Sequence, residues 1–243
     1  MKLYAETDIG MVRKINQDAY YISEEDDKYR LCILADGMGG YTGGEIASKL
    51  ACISAANYIK INFNKDKEYS KEELMEIIQH AMDQANKSVY EKSKEEIELE
   101  QMGTTLEICL IYNNRVFIGH IGDSRTYRIR QEFMKKITID HSYVQKLVKD
   151  GTITKEEAIH HPKKNMLMKA LGCEESIEPD VTVKNFIPGD IILICSDGLT
   201  NMISEKEIYN IIKQDTENAV QNLVKKANEL GGYDNITVII VTN

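Results

Sequence analysis

The chain has 243 residues, 42% of them hydrophobic and 28% charged, which suits one large domain or two small ones in an ordinary globular protein. A net charge of −9, from 30 basic and 39 acidic residues, argues against a nucleic-acid or anionic-membrane partner, since both need a basic face. The five cysteines are widely spaced, with no CxxC pair, so a disulfide framework and a zinc knuckle are set aside and a reducing compartment is expected. The N-terminal MKLYAETDIG has no apolar signal core, and no apolar run approaches the roughly 20 residues that cross a bilayer, so the expectation is a cytoplasmic protein with no membrane insertion.

In chain order, the first chemical signal is Gly10-Met11-Val12-Arg13, followed by Asn16-Gln17-Asp18. Arg13 offers a planar fork of donors suited to a phosphate or to a carboxylate, and a surface pair with Asp18 is the plain alternative. A β-rich run over Tyr29–Ala35 leads into Asp36-Gly37, where glycine lets the backbone turn so that the Gly37 carbonyl can also face a cation. The glycine-rich stretch beyond it does not read as a nucleotide loop. Thr42 stands where a GxGxxG fingerprint needs its last glycine, and Gly44-Glu45 replaces the Gly-Lys of a P-loop.

A helix is predicted over Glu45–Lys60 from its apolar stripe. Ser70 and Glu73 form a capping box that opens a second helix, with Leu74, Ile78, Ala81 and Met82 on one face. Strands over Thr104–Tyr112 and Arg115–Ile121 flank an Asn113-Asn114 hairpin turn, and Thr126–Arg130 follows the Asp123 phrase. A short helix is expected from His141 to Lys149, capped by Asp140 or Ser142 and ended by Gly151. Ile191–Cys195 reads as a buried strand ending at Ser196-Asp197-Gly198. Ser204 and Glu207 repeat the capping box, a helix over Glu217–Leu230 stops at Gly231-Gly232, and Asp234 precedes a last strand, Ile236–Val241.

Strands with hairpin spacing and helices in pairs predict an α+β fold, antiparallel sheets with helices outside, rather than regular βαβ alternation. With only three prolines no stiff linker divides the chain, so one domain over 1–243 is expected.

Asp36, Asp123 and Asp197 each follow an apolar run, and Asp234 precedes one. Carboxylates fixed at strand ends can converge on one rim of a folded sheet, where they would suit hard divalent cations with oxygen ligands. His120 reads as a packed strand residue and His160-His161 as a solvated turn. No Ser-His-Asp or Cys-His arrangement has supporting context.

Together these phrases resemble the metal-dependent protein phosphatases, the type 2C Ser/Thr phosphatase family in its compact bacterial form. The resemblance rests on Gly10…Arg13…Asn16-Gln17-Asp18, Ala35-Asp36-Gly37-Met38-Gly39-Gly40, Gly44-Glu45, Gly103-Thr104-Thr105, Gly119 to Arg125, Asp140-His141-Ser142, Ala170-Leu171-Gly172, Gly189-Asp190, Ser196 to Leu199 and Asp234 to Thr237, in the family's order over nearly the whole chain. It implies a four-layer α/β/β/α sandwich, two central antiparallel sheets flanked by helix pairs. It also implies a centre of two Mn²⁺ or Mg²⁺ ions. Asp36 would bridge both metals, Gly37 would give its carbonyl to one, and Asp197 and Asp234 would complete the other. Asp18 would hold metal-bound water, Asp123 with Asp197 would serve a third, weaker ion, and Arg13 would grip the substrate phosphate. Residues from about 142 to 176 would form a flap subdomain beside the site.

The activity implied is hydrolysis of phosphoserine and phosphothreonine proteins by direct attack of a metal-bridging water, opposing a bacterial Ser/Thr kinase with shared substrates, in a monomer. A phosphoprotein-binding protein without turnover is the rival reading; the presence of all five aspartates weighs against it. A phosphatase devoted to an anti-sigma antagonist pathway is a further reading, weakened by the lack of any sensor domain. Two departures from the family pattern stand out: Met38, where eukaryotic relatives carry a histidine proposed as general acid, and Met168-Lys169 near the flap.

Overall fold

The computed structural model describes residues 1–24, 28–39 and 43–243. In chain order its elements begin with β1 (Lys2–Asp8), β2 (Asp18–Ile22), β3 (Arg30–Met38), α1 (Gly43–Asn62), α2 (Lys71–Ser93), β4 (Gly103–Thr104), β5 (Leu106–Tyr112), β6 (Arg115–Ile121) and β7 (Arg125–Arg130). They continue with β8 (Phe133–Lys136), α3 (Tyr143–Lys149), α4 (Lys155–Ile159), β9 (Asp180–Asn185), β10 (Ile191–Cys195), α5 (Asp197–Thr200), α6 (Glu205–Gln214), α7 (Ala219–Glu229) and β11 (Ile236–Thr242).

Two sheets form the centre. One runs β1-β11-β10-β7-β8; the other runs β2-β3-β5-β6-β9, with β4 pairing β3. Every strand pairing is antiparallel. Side-chain alternation sorts each strand between two apolar layers. In β3, Leu31, Ile33 and Ala35 pack with α1 and α2, whereas Cys32 and Leu34 face the other sheet. In β10, Ile191, Leu193 and Cys195 pack with α6 and α7, whereas Ile192 and Ile194 face inward. The result is helix pair, sheet, sheet, helix pair, the four-layer α+β sandwich that was expected.

The helices carry the local signals that end them. Ser70 caps α2 with both hydrogen bonds of the box, and Gly231 and Gly232 take positive φ (125° and 49°) just after α7. Asn113 and Asn114 likewise take positive φ, 46° and 57°, at the β5–β6 hairpin. The second predicted box is only half formed. Ser204 accepts from the Glu207 N–H, but the Glu207 carboxylate pairs with Lys226 at 3.3 Å on the neighbouring helix.

Ser142, not Asp140, caps α3, because Asp140 is held by Arg125 and Lys136. The last helix begins at Ala219, behind Asn218, rather than at Glu217. The strand predicted from Thr104 is interrupted at Thr105, whose N–H and hydroxyl both serve Asp36. Four of the five cysteines are buried and Cys173 is exposed; all five are free. Among the described residues, no helix is long and apolar enough to cross a membrane.

Candidate metal centre

The inward-facing parity of the strands continues into acid at one end of the sandwich. Cys32 and Leu34 of β3 point between the sheets, so Asp36, two residues further, points the same way. Asp18 is its register partner on β2. Asp36 therefore lies within a strand, not after one, and Gly37 does not turn: it continues β3 opposite Thr104 of β4. Glycine is needed there for a different reason. A Cβ at Gly37 would overlap the Gly44 carbonyl and come within 2.6 Å of the Gln17 carbonyl. The loop through Gly40, Tyr41 and Thr42, on which the nucleotide reading turned, lies outside the described residues.

The opposite sheet supplies hydroxyls by the same alternation. Ser196 follows the inward residues Ile192 and Ile194, and Thr237 precedes Ile239 and Val241. Both hydroxyls donate to Asp18 Oδ2, at 2.8 Å from Ser196 and 2.7 Å from Thr237. Since the Thr237 proton goes to Asp18, Thr7 must donate in its 2.7 Å bond to Thr237, while Thr7 itself accepts from Asn16 Nδ2. This is a directed chain of donors ending on one carboxylate oxygen. The other, Asp18 Oδ1, is buried and has no hydrogen-bond partner.

Three further aspartates stand at this edge. Asp123 sits in the link from β6 to β7, which crosses from one sheet to the other; next to it, Ser124 hydrogen-bonds Thr105 at 2.8 Å. Asp197 opens α5 and accepts from Asn201 at 2.9 Å. Asp234 accepts from Arg13 at 2.8 Å. Arg13 thus pairs with Asp234, not with Asp18, and stays half-exposed beside the cluster.

The charges perturb one another. Burial, and then the Asp18, Asp197, Asp123 and Asp234 carboxylates, push Asp36 well above the usual range. Burial likewise raises Asp18 to about 7, against the hydroxyl bonds that lower it and with Asp197 and Asp234 adding to the rise. Asp123 is raised to about 7 and Asp197 to about 6, each by burial first and a neighbouring carboxylate second.

A buried carboxylate oxygen without a donor, set among mutually repelling carboxylates, fits a cation. The donor set is all oxygen, which suits Mg²⁺ or Mn²⁺ rather than zinc or copper. Among the described residues, however, no three His, Cys, Asp or Glu side chains close around a common point as the ligands of one ion would.

Asn235 is the residue that sequence reasoning left without a role. It is 5% exposed. Its amide donates to the Ile9 and Ile15 carbonyls at 2.9 and 3.0 Å, and its oxygen accepts from the Gln17 N–H at 2.8 Å. It thereby fastens the loop carrying Arg13 to the start of β11. A Cβ at Gly198 would overlap the Asn235 carbonyl, so Gly198 permits the contact between the Asp197 and Asp234 turns. A signal was available: an Asp-Asn pair entering a fully apolar strand places a short amide at the sheet edge, where backbone groups of neighbouring loops need partners.

A second buried polar group lies in the inter-sheet layer. Glu107 and His120 are register partners on β5 and β6 and bond through His120 Nδ1. Glu107 also accepts from Thr126 at 2.6 Å, and His120 Nε2 donates to the Ile139 carbonyl at 2.9 Å. His120 is packed, as expected; His160 is exposed and His161 half-buried.

The family model for protein phosphatase 2C matches residues 12–232, which takes in six of the seven predicted site residues and stops two residues short of Asp234. The chain belongs to the protein phosphatase 2C family. Membership makes it a metal-dependent phosphatase. Among curated relatives, the serine/threonine phosphatase stp of Listeria innocua is 38% identical over 241 residues, covering 97% of this chain and 93% of that one. A solved serine/threonine phosphatase of S. agalactiae superposes with a TM-score of 0.90 at 34% identity, covering 100% and 99% of the two chains. The catalytic domain of the serine/threonine protein phosphatase PstP, solved in complex with two manganese ions, gives a TM-score of 0.85 at 34% identity over 98% of this chain and 96% of that one.

Proposed function

We propose that this chain removes phosphate from phosphoserine and phosphothreonine in proteins by direct attack of water on phosphorus, with no phosphoenzyme. The observation that carries this reading is the meeting of Asp18, Asp36, Asp123, Asp197 and Asp234 at one edge, with Asp18 Oδ1 buried and unpartnered.

Two Mn²⁺ or Mg²⁺ ions would be held by Asp36, the Gly37 carbonyl, Asp197 and Asp234, with Asp123 and Asp197 serving a weaker third. When bound, such ions acidify water and neutralise charge on phosphoryl oxygens. Asp18 orients the attacking water: the two hydroxyls fix Oδ2, so Oδ1 accepts a proton from the water in a set direction. Arg13 binds the phosphate. One of its donors holds Asp234, and the remaining fork takes phosphoryl oxygens from the open side. Phosphate monoesters are slow enough that catalysis can reach accelerations of order 10²¹.

The single-domain reading over 1–243, with residues 142–176 as flap, belongs to this proposal. So do a cytoplasmic location, a monomeric state and a Ser/Thr kinase sharing the same substrates. The decisive assay is hydrolysis of a phosphothreonine peptide with and without Mn²⁺, against a matched phosphotyrosine peptide. Mn²⁺-stimulated, phosphothreonine-selective turnover that Asp36→Ala abolishes is expected. Full turnover by Asp36→Ala in chelator overturns the reading.

A further inference from the structure

We infer that the cleft between the end of β3 and the segment Leu167–Glu178 is a specificity pocket for a basic side chain, arginine or lysine, that flanks the phosphorylated residue of the substrate. The inference rests on the phosphatase reading above.

The cleft encloses about 310 Å³, with an apolar floor of Met38, Ile121, Leu167, Met168, Ala170 and Ile177. It shares walls with the acidic edge. Met38 stands two residues beyond Asp36 on β3, and Ile121 two residues before Asp123 at the end of β6. A peptide whose phosphate lies at that edge passes the mouth of this cleft with a neighbouring side chain.

The far wall is built in advance. Leu171 exchanges two backbone hydrogen bonds with Thr104, 3.1 and 2.8 Å, which ties the segment to β4. Buried Asn86 of α2 donates to the Glu174 and Glu175 carbonyls at 3.0 and 3.1 Å and accepts from the Gly172 N–H at 2.8 Å. Gly172 has φ +82°, and a side chain there would strike Val89. The wall is therefore pinned from beneath by a polar residue that is 1% exposed. A pocket held open this way costs a ligand little ordering entropy.

Charge selects the occupant. Lys169, Glu174 and Glu178 line the polar side. The Lys169 ammonium is already taken, 3.1 Å from the Glu178 carbonyl and 3.8 Å from its carboxylate. That leaves the exposed Glu174 carboxylate uncancelled at a rim whose net sign is negative, on a chain of net charge −9. An apolar floor under an acidic rim suits a methylene stem with a cationic head. The two methionines of the floor, Met38 and Met168, adapt to either lysine or arginine. An acidic neighbour in the substrate would meet like charge.

The test is kcat/KM for a set of phosphothreonine peptides in which each flanking position is in turn Arg, Leu, Ala or Glu, with Mn²⁺ present. At one position Arg exceeds Glu by about tenfold, and in Glu174→Lys/Glu178→Lys the ratio, read on one preparation, falls to unity or reverses. Cys173 lines the cleft and is exposed while the other four cysteines are buried, so its alkylation with N-ethylmaleimide gives an independent block. It is expected to erase the same ratio, with Cys173→Ser as the unlabelled control. Equal rates across the set, a best rate for Leu, or an Arg preference that survives both treatments overturns the assignment. Wild-type hydrolysis of p-nitrophenyl phosphate, which has no flanking residues, is measured alongside. If that fails, the phosphatase reading falls and the pocket with it; if it succeeds without peptide preference, only the pocket falls.

Discussion

Asp18 and Asp36 sit directly opposite one another on adjacent antiparallel strands, their side chains on the same face of the sheet. Like charges in that position destabilise a ladder. The fold keeps them where a sheet built for stability alone would place a neutral pair. Replacing Asp36 by Asn should therefore raise the melting temperature of the metal-free protein while lowering Mn²⁺-dependent turnover by more than about 100-fold, the scale of a lost electrostatic stabiliser at a reacting centre. Calorimetry in chelator and a steady-state assay read the two effects. A variant that melts lower and keeps its activity contradicts the assignment.

The same crowding predicts a pH dependence. Asp18 and Asp123 are raised to about 7 and Asp197 to about 6, all above the range of an unfolded aspartate. A carboxylate raised in the folded state contributes stability that is complete below its unfolded pKa and is lost as pH climbs through the folded value. Metal-free protein should thus lose stability steadily from about pH 4 to about pH 7. Saturating Mn²⁺ near pH 8 should restore it, by about 2.7 kcal/mol at 100 times the dissociation constant. A flat urea midpoint between pH 5 and pH 8 in chelator would refute the cluster's electrostatics.

Thr237 gives Asp18 one of its two hydroxyl bonds, at 2.7 Å. Thr237→Val keeps the shape and removes the donor, and a bond to a charged group contributes roughly 1.5–3 kcal/mol. Because the Asp18 carboxylate would then be less well oriented, Mn²⁺ affinity measured by titration calorimetry should fall about 10- to 100-fold, the usual effect of losing an outer partner. Unchanged affinity would mean that Asp18 has no part in holding the ions.

Asn235 and Gly198 test the scaffold. Asn235→Leu leaves the Ile9 and Ile15 carbonyls and the Gln17 N–H without their partner, which should cost on the order of 3 kcal/mol in urea unfolding. Gly198→Ala should be at least as damaging, since its Cβ would meet backbone rather than a yielding side chain. Gly151→Asn is the contrast: Gly151 has φ +71° but open space around it, and asparagine tolerates that conformation, so a change under about 1 kcal/mol is expected. Equal losses at both glycines would discount the close approach of the two acidic turns.

The strands and helices were legible in this sequence because period and caps speak locally. Ile191–Cys195 and Arg115–Ile121 have the bounds their apolar runs predict, and Ser70 with Glu73 opens α2. Asp36, Asp197 and Asp234 could be picked out as carboxylates beside apolar runs. What escaped depends on partners distant in the chain. The half-formed box at Ser204 reflects Lys226 competing for Glu207, and Arg13 found Asp234, a partner 221 residues away. The need for glycine at Gly37 comes from the approach of Gly44, not from a turn. Ser196 and Thr237 acquire meaning only when two sheets are stacked, for each reaches across to Asp18 over a gap that no one-dimensional pattern describes.

The link through Gly122, Asp123 and Ser124 passes from one sheet to the other, so the acidic edge draws residues from both halves of the sandwich. Cations gripping Asp36 on one slab and Asp197 and Asp234 on its twin would act as a rivet through the stack. The greasy filling of Leu34, Ile118, Ile194 and Ile239 then serves as a spacer whose thickness gauges the gap between ligands. Thinning or swelling that filling would detune the site without touching a single carboxylate.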